Sequence, residues 1–316
     1  MHRLLTNICN SSLILAIMVL GFCSPSAMAQ SGFNSGPMVQ SANTVQISEH
    51  VFVIPDGNVS GVPNVGIIIG TEATLVIDTG MGAPNGRIIL EKVEELSSSS
   101  VIYLATTHVH PEHDLGAHAF PGSTQMIRSQ AQIIEIEETG LRTANAFSSR
   151  SEVNRRLLEG AEFRAADISF EDSYQLDLGG VQVTIVAAGP NHTLGDTVFY
   201  VERDEVLFSG DIVMQALPAF ASQHSSLDHW LESLDKLQAY QPEIIVPSHG
   251  PMGNTSMINT YREYLTAVKQ RTSEIKAEGN SLDETTALLR PELAVSYGDS
   301  GRINGAIAAA YATAGN

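Results

Sequence analysis

The sequence has almost no cysteine: two in 316 residues, Cys9 and Cys23, and none after them. Beyond that point a disulfide framework is excluded, and so is any metal site built on thiolates. Positive charge is also scarce, with 17 Lys and Arg against 35 Asp and Glu and a formal net charge of −18. A surface for polyanions needs a basic stripe to neutralise phosphates. No such stripe is present, so nucleic acid is excluded as a partner and the acidity reads as solubility. No apolar run reaches the roughly 20 residues of a membrane span.

The short apolar run that does exist, residues 13–22, follows Arg3 and leads to Ala27-Met28-Ala29. A charged start, an apolar middle and a small-residue exit form the layout of a secretory leader cut after Ala29. The expectation is a periplasmic or secreted chain with no stable membrane span after cleavage. Lipid attachment at Cys23 is the alternative, but bulky Phe22 beside it fits that poorly. The mature chain has no thiol and depends on its core alone, and a chain of this length can bury a large one.

Residues 30–44, rich in Ser, Gly, Asn and Gln, read as a flexible leader, and residues 45–316 as one domain with a helical C-terminal segment. Short β-rich runs lie at 51–54, 65–69, 73–77 and 101–105, then at 174–178, 181–186, 198–201, 206–208 and 243–246, with turn signals between several of them. The run at 101–105 is apolar throughout, which predicts a strand buried on both faces. Helical spacing is predicted for 85–96, about 128–165, 229–239, 255–278 and 283–290. The stretch 66–80 runs hairpin, apolar strand, Asp-Thr-Gly, and 197–211 runs hairpin, apolar strand, Ser-Gly-Asp. This echo suggests two related β-rich halves, with sheets covered by helices in a single large domain.

What the chain does have is histidine at strand ends. Thr107-His108-Val109-His110-Pro111-Glu112-His113-Asp114 places three histidines within six residues, directly after the apolar strand. Imidazole is a common neutral zinc ligand. In an extended segment side chains i and i+2 point the same way, so His108 and His110 can grip one ion. The turn at Pro111 lets Glu112 and His113 face a second. One histidine alone would read as a surface or packing residue. Three clustered with a carboxylate, and more candidates downstream, read as a metal site. Those candidates are His192 in a turn-rich loop, Asp211 after an apolar strand and His249 after another. Loops on a rigid sheet are where sites are usually built. His118 reads as packed or surface. His224 and His229 flank residues 214–223, which either line the pocket or belong to the core.

The series His-x-His-x-Glu-His, Gly-Pro-Asn-His-Thr, Ser-Gly-Asp and Pro-Ser-His-Gly, with Ile77-Asp78-Thr79-Gly80 ahead of it, resembles the metallo-β-lactamase superfamily in motif order and spacing. The resemblance covers about residues 45–253. It implies an αββα sandwich, an α/β fold of four layers, with the metal site at one edge. It also implies that His108, His110 and His192 hold one zinc, that His113 and His249 hold a second, and that Asp211 bridges them. Asp78 then supports the site without touching metal. Glu112 departs from the family, which usually has Asp there. The extra methylene shifts the carboxylate by a distance to which catalytic geometry is sensitive. Glu112 therefore either ligates metal by bending away or acts as a free general base.

The reaction expected is hydrolysis of a small-molecule amide, lactam, lactone, ester or thioester by a metal-bound hydroxide, oriented by Glu112 or Asp211, with one or two zinc ions as cofactor. Iron or manganese are the alternative metals. Three other functions compete: a true β-lactamase, which here needs an all-His/Asp site; a mononuclear iron oxygenase acting on persulfides, told apart by iron content; and a non-catalytic metal-binding protein, at odds with so full a set of ligand-type residues.

Overall fold

The computed structural model describes residues 36–214, 224–298 and 302–315. The secretory leader expected over residues 1–29 lies outside them, as do residues 215–223 of the loop after Asp211. Strands β1 (Val45–Gln46), β2 (Val51–Ile54), β3 (Val65–Ile69), β4 (Thr74–Ile77), β5 (Ile102–Ala105), β6 (Gln125–Ser129) and β7 (Ile168–Phe170) form a seven-stranded sheet in sequence order. Strands β8 (Ser173–Asp177), β9 (Gln182–Ala187), β10 (Thr197–Val201), β11 (Val206–Gly210) and β12 (Ile244–Pro247) form a five-stranded sheet in reverse order. Pairing is antiparallel from β1 to β4 and from β8 to β11. It is parallel from β4 to β7 and between β11 and β12.

The apolar runs are unbroken because both faces of these strands are covered. In β11, Val206 and Phe208 point into the core between the sheets while Leu207 packs under helices. In β4, Leu75 and Ile77 face the other sheet and Val76 faces outward. The inner faces come close at Gly66, where a Cβ would lie 2.5 Å from the Phe208 ring. Glycine there is what allows the sheets to close.

The helices are α1 (Gly82–Leu96), α2 (Pro111–Asp114), α3 (Gln130–Glu135), α4 (Leu141–Ser148), α5 (Glu152–Leu157), α6 (Leu227–Ala239), α7 (Ser256–Ala277), α8 (Leu282–Tyr297) and α9 (Arg302–Thr313). Through Ile89 and Val93, α1 covers the outer face of the larger sheet. The last four helices bury Trp230, Tyr261, Leu265, Leu289 and Ile307 against Val198, Leu207 and Ile245 of the smaller sheet. The layers run helix, sheet, sheet, helix, the αββα sandwich expected. The internal echo is visible as well: the hairpins β3–β4 and β10–β11 each lead to a parallel strand.

Four expectations need correction. The helix over 128–165 starts later, because residues 125–129 pair in parallel with β5 and form a strand. Beyond that strand the chain is broken into α3, a π turn at Ile136–Gly140, α4 and α5, and then irregular chain. Strand β5 is not buried on both faces along its whole length: Ile102 and Tyr103 are only half-buried and Val101 is exposed. The helix expected over 283–290 runs on to Tyr297 despite Pro291, opened by a capping box in which Ser281 and Glu284 bond each other's backbone N–H. The leader of residues 30–44 is docked from Pro37, where the Asn85 amide donates to the Pro37 carbonyl and accepts from the Val39 N–H at 2.8 Å. Among the described residues no helix is long and apolar enough to cross a membrane.

Candidate metal centre

The parallel strands β4 and β5 of one sheet and β11 and β12 of the other end at the same edge. Their last residues lead directly into Asp78, His108, Asp211 and His249, and the loop after β9 adds His192. Helix α2 begins with Pro111, whose missing N–H is no loss at a first helical position. That single turn carries Glu112 and His113. All seven ligand-type residues expected are thus brought to one place. They fall into three overlapping groups: His108, His110 and His192; His108, His113 and Asp211; and Glu112, His113 and His249. Within each group the candidate ligand atoms lie within 4.8 Å of one another.

The ring nitrogens converge. His108 Nε2 lies 3.0 Å from His110 Nδ1, and His192 Nε2 lies 3.3 Å from the same atom. Asp211 Oδ2 is 3.4 Å from His192 Nε2. Outside the cluster, partners turn the other rings. The Val62 carbonyl can only accept, so His249 donates from Nδ1 at 2.9 Å and its Nε2 is left as the lone pair. His113 Nδ1 meets Asp78 Oδ2 at 2.9 Å, which leaves His113 Nε2 buried without a hydrogen-bond partner. Glu112 Oε2 and Asp211 Oδ1 are buried and unpartnered too. Buried polar atoms without partners are costly and rare. Three of them among convergent imidazoles fit a cation, and the donor set of nitrogen and carboxylate oxygen suits zinc.

The electrostatics agree. Burial, then the neighbouring histidines, hold His108 and His110 well below the usual imidazole range, so both rings are neutral donors. Burial alone would also pull His113 down, but the Asp78 carboxylate, with Glu112 and Asp211 beyond it, pushes it up to about 9. Burial would raise Asp211, yet His192, His249, His113 and His110 hold it at about 2. Asp78 itself sits at φ +66, a conformation that Asp tolerates better than most residues. It is fixed by the Thr107 N–H at 2.7 Å and the Thr107 hydroxyl at 3.0 Å.

A family model for the metallo-β-lactamase superfamily matches residues 60–249, more than half of the chain. The chain belongs to the metallo-β-lactamase superfamily. A linear primary-alkylsulfatase of Pseudomonas sp. is 26% identical over 218 residues, 58% of this chain and 40% of that protein. The acyl-coenzyme A thioesterase MBLAC2 of Homo sapiens is 25% identical over 170 residues, 48% of this chain and 58% of that protein. The chain therefore spans only part of the length of these curated relatives. The solved structure of a stereoselective inverting sec-alkylsulfatase from Pseudomonas sp. superposes with a TM-score of 0.68 at 16% identity, over 85% of this chain and 49% of that one. At that identity the likeness is one of fold.

Several residues around the superfamily's histidine cluster carry no signal in the sequence pattern. Buried Arg128 forks onto Asp114, the last residue of α2. Gln132 donates to the Thr106 carbonyl at 2.7 Å and to Thr197. Glu135 accepts the Gly195 N–H at 2.8 Å and so steadies the loop that carries His192. Phe147 of α4 brings its ring centre within 5.5 Å of that of His110, so the segment after β6 flanks the cluster. His118 is exposed, the surface position of the two expected for it. His224 lies 3.5 Å from Glu138. His229 lines a cavity of about 570 Å³ between β9, β10 and α6, with its Nδ1 3.4 Å from Asn191 Oδ1.

Proposed function

We propose that this chain is a zinc-dependent hydrolase of small ester or thioester substrates. The observation that carries the reading is the convergence of His108 Nε2, His110 Nδ1 and His192 Nε2 beside buried, unpartnered carboxylate oxygens of Glu112 and Asp211. In this reading His108, His110 and His192 hold one ion, Glu112, His113 and His249 hold a second, and Asp211 stands between them. Bound zinc lowers the pKa of water toward neutrality and polarises the bond to be cleaved.

The chain's own residues do the rest. Asp78 and the Val62 carbonyl fix the rings of His113 and His249, so that Nε2 of each faces the centre. Asp211, held at about 2, is an acceptor at any working pH and never a proton donor. Glu112 presents a buried oxygen with no other partner, which would complete the shell of the second ion and so set where the attacking water sits. The names of the two curated relatives, an alkylsulfatase and an acyl-coenzyme A thioesterase, favour esters and thioesters over amides and lactams.

The test is elemental analysis of the purified protein and of His110→Ala, beside turnover of 4-nitrophenyl octanoate, octanoyl-coenzyme A and octyl sulfate. The expected result is zinc in the parent protein and turnover of one of these compounds, with metal lost and turnover reduced on the order of a thousandfold in the variant. Undiminished turnover by a metal-free His110→Ala protein would overturn the reading. Iron in place of zinc would move it to the oxygenase.

A further inference from the structure

Arg150, just beyond α4, lays its guanidinium over the Phe147 ring, with Cζ 3.4 Å from the ring centre. Phe147 is buried, and its ring centre is 5.5 Å from that of His110. The two distances together place the guanidinium carbon within about 9 Å of the His110 ring.

Three other arginines of this region are engaged. Arg128 is bound to Asp114, Arg155 to Glu152, and Arg164 to the carbonyls of Phe120, Pro121 and Thr124. Arg150 is exposed and, among the described residues, its side chain makes no hydrogen bond or ion pair beyond the stack on Phe147; its backbone N–H donates to the Phe147 carbonyl. In a chain of net charge −18, an arginine with no carboxylate beside the centre is unusual. The stack orders the planar fork in advance and leaves its N–H edge open, so little side-chain freedom is lost when an oxyanion binds.

We propose that Arg150 is the oxyanion-binding residue of the substrate site, receiving a carboxylate, sulfate or phosphate carried a few bonds from the bond that is cleaved. A guanidinium reaches an acceptor oxygen about 4 Å from Cζ. That leaves at most about 5 Å to the His110 ring, a span of up to three or four covalent bonds. The ligand class is an anionic ester or thioester whose charge is separate from its reacting group. The inference rests on the metal-centre reading above.

The test is calorimetric titration of the zinc-loaded protein with 3-mercaptopropanoate and with its methyl ester, two thiols that offer zinc the same sulfur and differ in one charge. Arg150→Met keeps an apolar cover on Phe147, and Arg150→Lys keeps the charge without the fork. The expected result is tighter binding of the carboxylate than of the ester by the parent protein. Arg150→Met should weaken the carboxylate about tenfold and leave the ester unchanged, and Arg150→Lys should recover part of the loss. Equal effects of Arg150→Met on the two thiols, or none on either, would overturn the inference while zinc remains bound. A protein that holds no zinc and binds neither thiol would overturn the metal-centre reading and this inference with it.

Discussion

Asp114→Asn isolates what holds in place the turn that carries Glu112 and His113. Arg128 and Asp114 are almost wholly buried, with side-chain exposures of 1% and 0%. Their contact is two-pronged, Nη1 to Oδ2 at 2.5 Å and Nη2 to Oδ1 at 2.8 Å. The Thr106 hydroxyl adds a bond to Oδ2 at 3.0 Å, and Arg128 Nε reaches the Arg164 carbonyl at 3.1 Å. At a charge separation of about 4 Å and an effective dielectric near 20, the attraction is about 4 kcal/mol, most of it offset by desolvation. Asparagine removes the charge and strands a guanidinium that cannot deprotonate, which costs about 3–5 kcal/mol. Against a typical total of about 5–15 kcal/mol, the variant still folds and the loss is measurable. Arg128→Met alone should cost a similar amount. The double variant should lose at least about 2 kcal/mol less than the sum, because the second change removes the charge that the first one stranded. The assay is urea unfolding followed by fluorescence of the single tryptophan, Trp230, which is fully buried. A chelator keeps metal binding out of the comparison. A loss below about 1 kcal/mol in Asp114→Asn, or single effects that simply add, would refute the claim that this pair anchors α2.

Two further outcomes are expected. Glu112→Gln keeps length and removes charge, so turnover should fall about a hundredfold or more, whereas Glu112→Asp, which restores the family's usual carboxylate, should stay within about tenfold of the parent. Equal rates for the Gln variant and the parent would remove Glu112 from the chemistry. The second outcome concerns His113, whose ordinary value of 6.5 is lifted to about 9 by Asp78, Glu112 and Asp211 against the pull of burial. In the metal-free protein its protonated form therefore adds stability that is fully present below about 6.5 and lost as pH rises through about 9. A metal ion at His113 must displace that proton, so metal affinity rises over the same window. The melting-temperature gap between zinc-loaded and chelator-treated protein should widen from pH 7 to 9. A gap that stays flat or narrows would count against His113 as a ligand.

Legibility from sequence divides along the range of the interactions. The ligand-type residues can be read because each is a histidine or carboxylate just after an apolar strand, and both strand and residue type are local facts. The αββα layering is readable for a related reason: strands covered on both faces have to be apolar at every position, as 65–69 and 206–208 are. Residues 125–129 mislead because Arg128 looks solvent-facing until Asp114 supplies its partner, and the strand exists only by pairing with β5. Tertiary context there outweighs local preference. Even so, local signals for the broken helical segment are present. The hydroxyls of Ser129 and Ser151 each accept a backbone N–H three residues on, marking two separate helix starts. Phe147 and Arg150 carry no such mark. They lie near the cluster through the Phe147 ring contact with His110, 37 positions away in the chain, and the Arg150 stack on that ring, which no local pattern encodes. The division has a physical basis. Metal ligation demands particular atoms and so restricts residue type, whereas the residues that steady the ligands or meet the substrate need only the right place, which the fold alone provides.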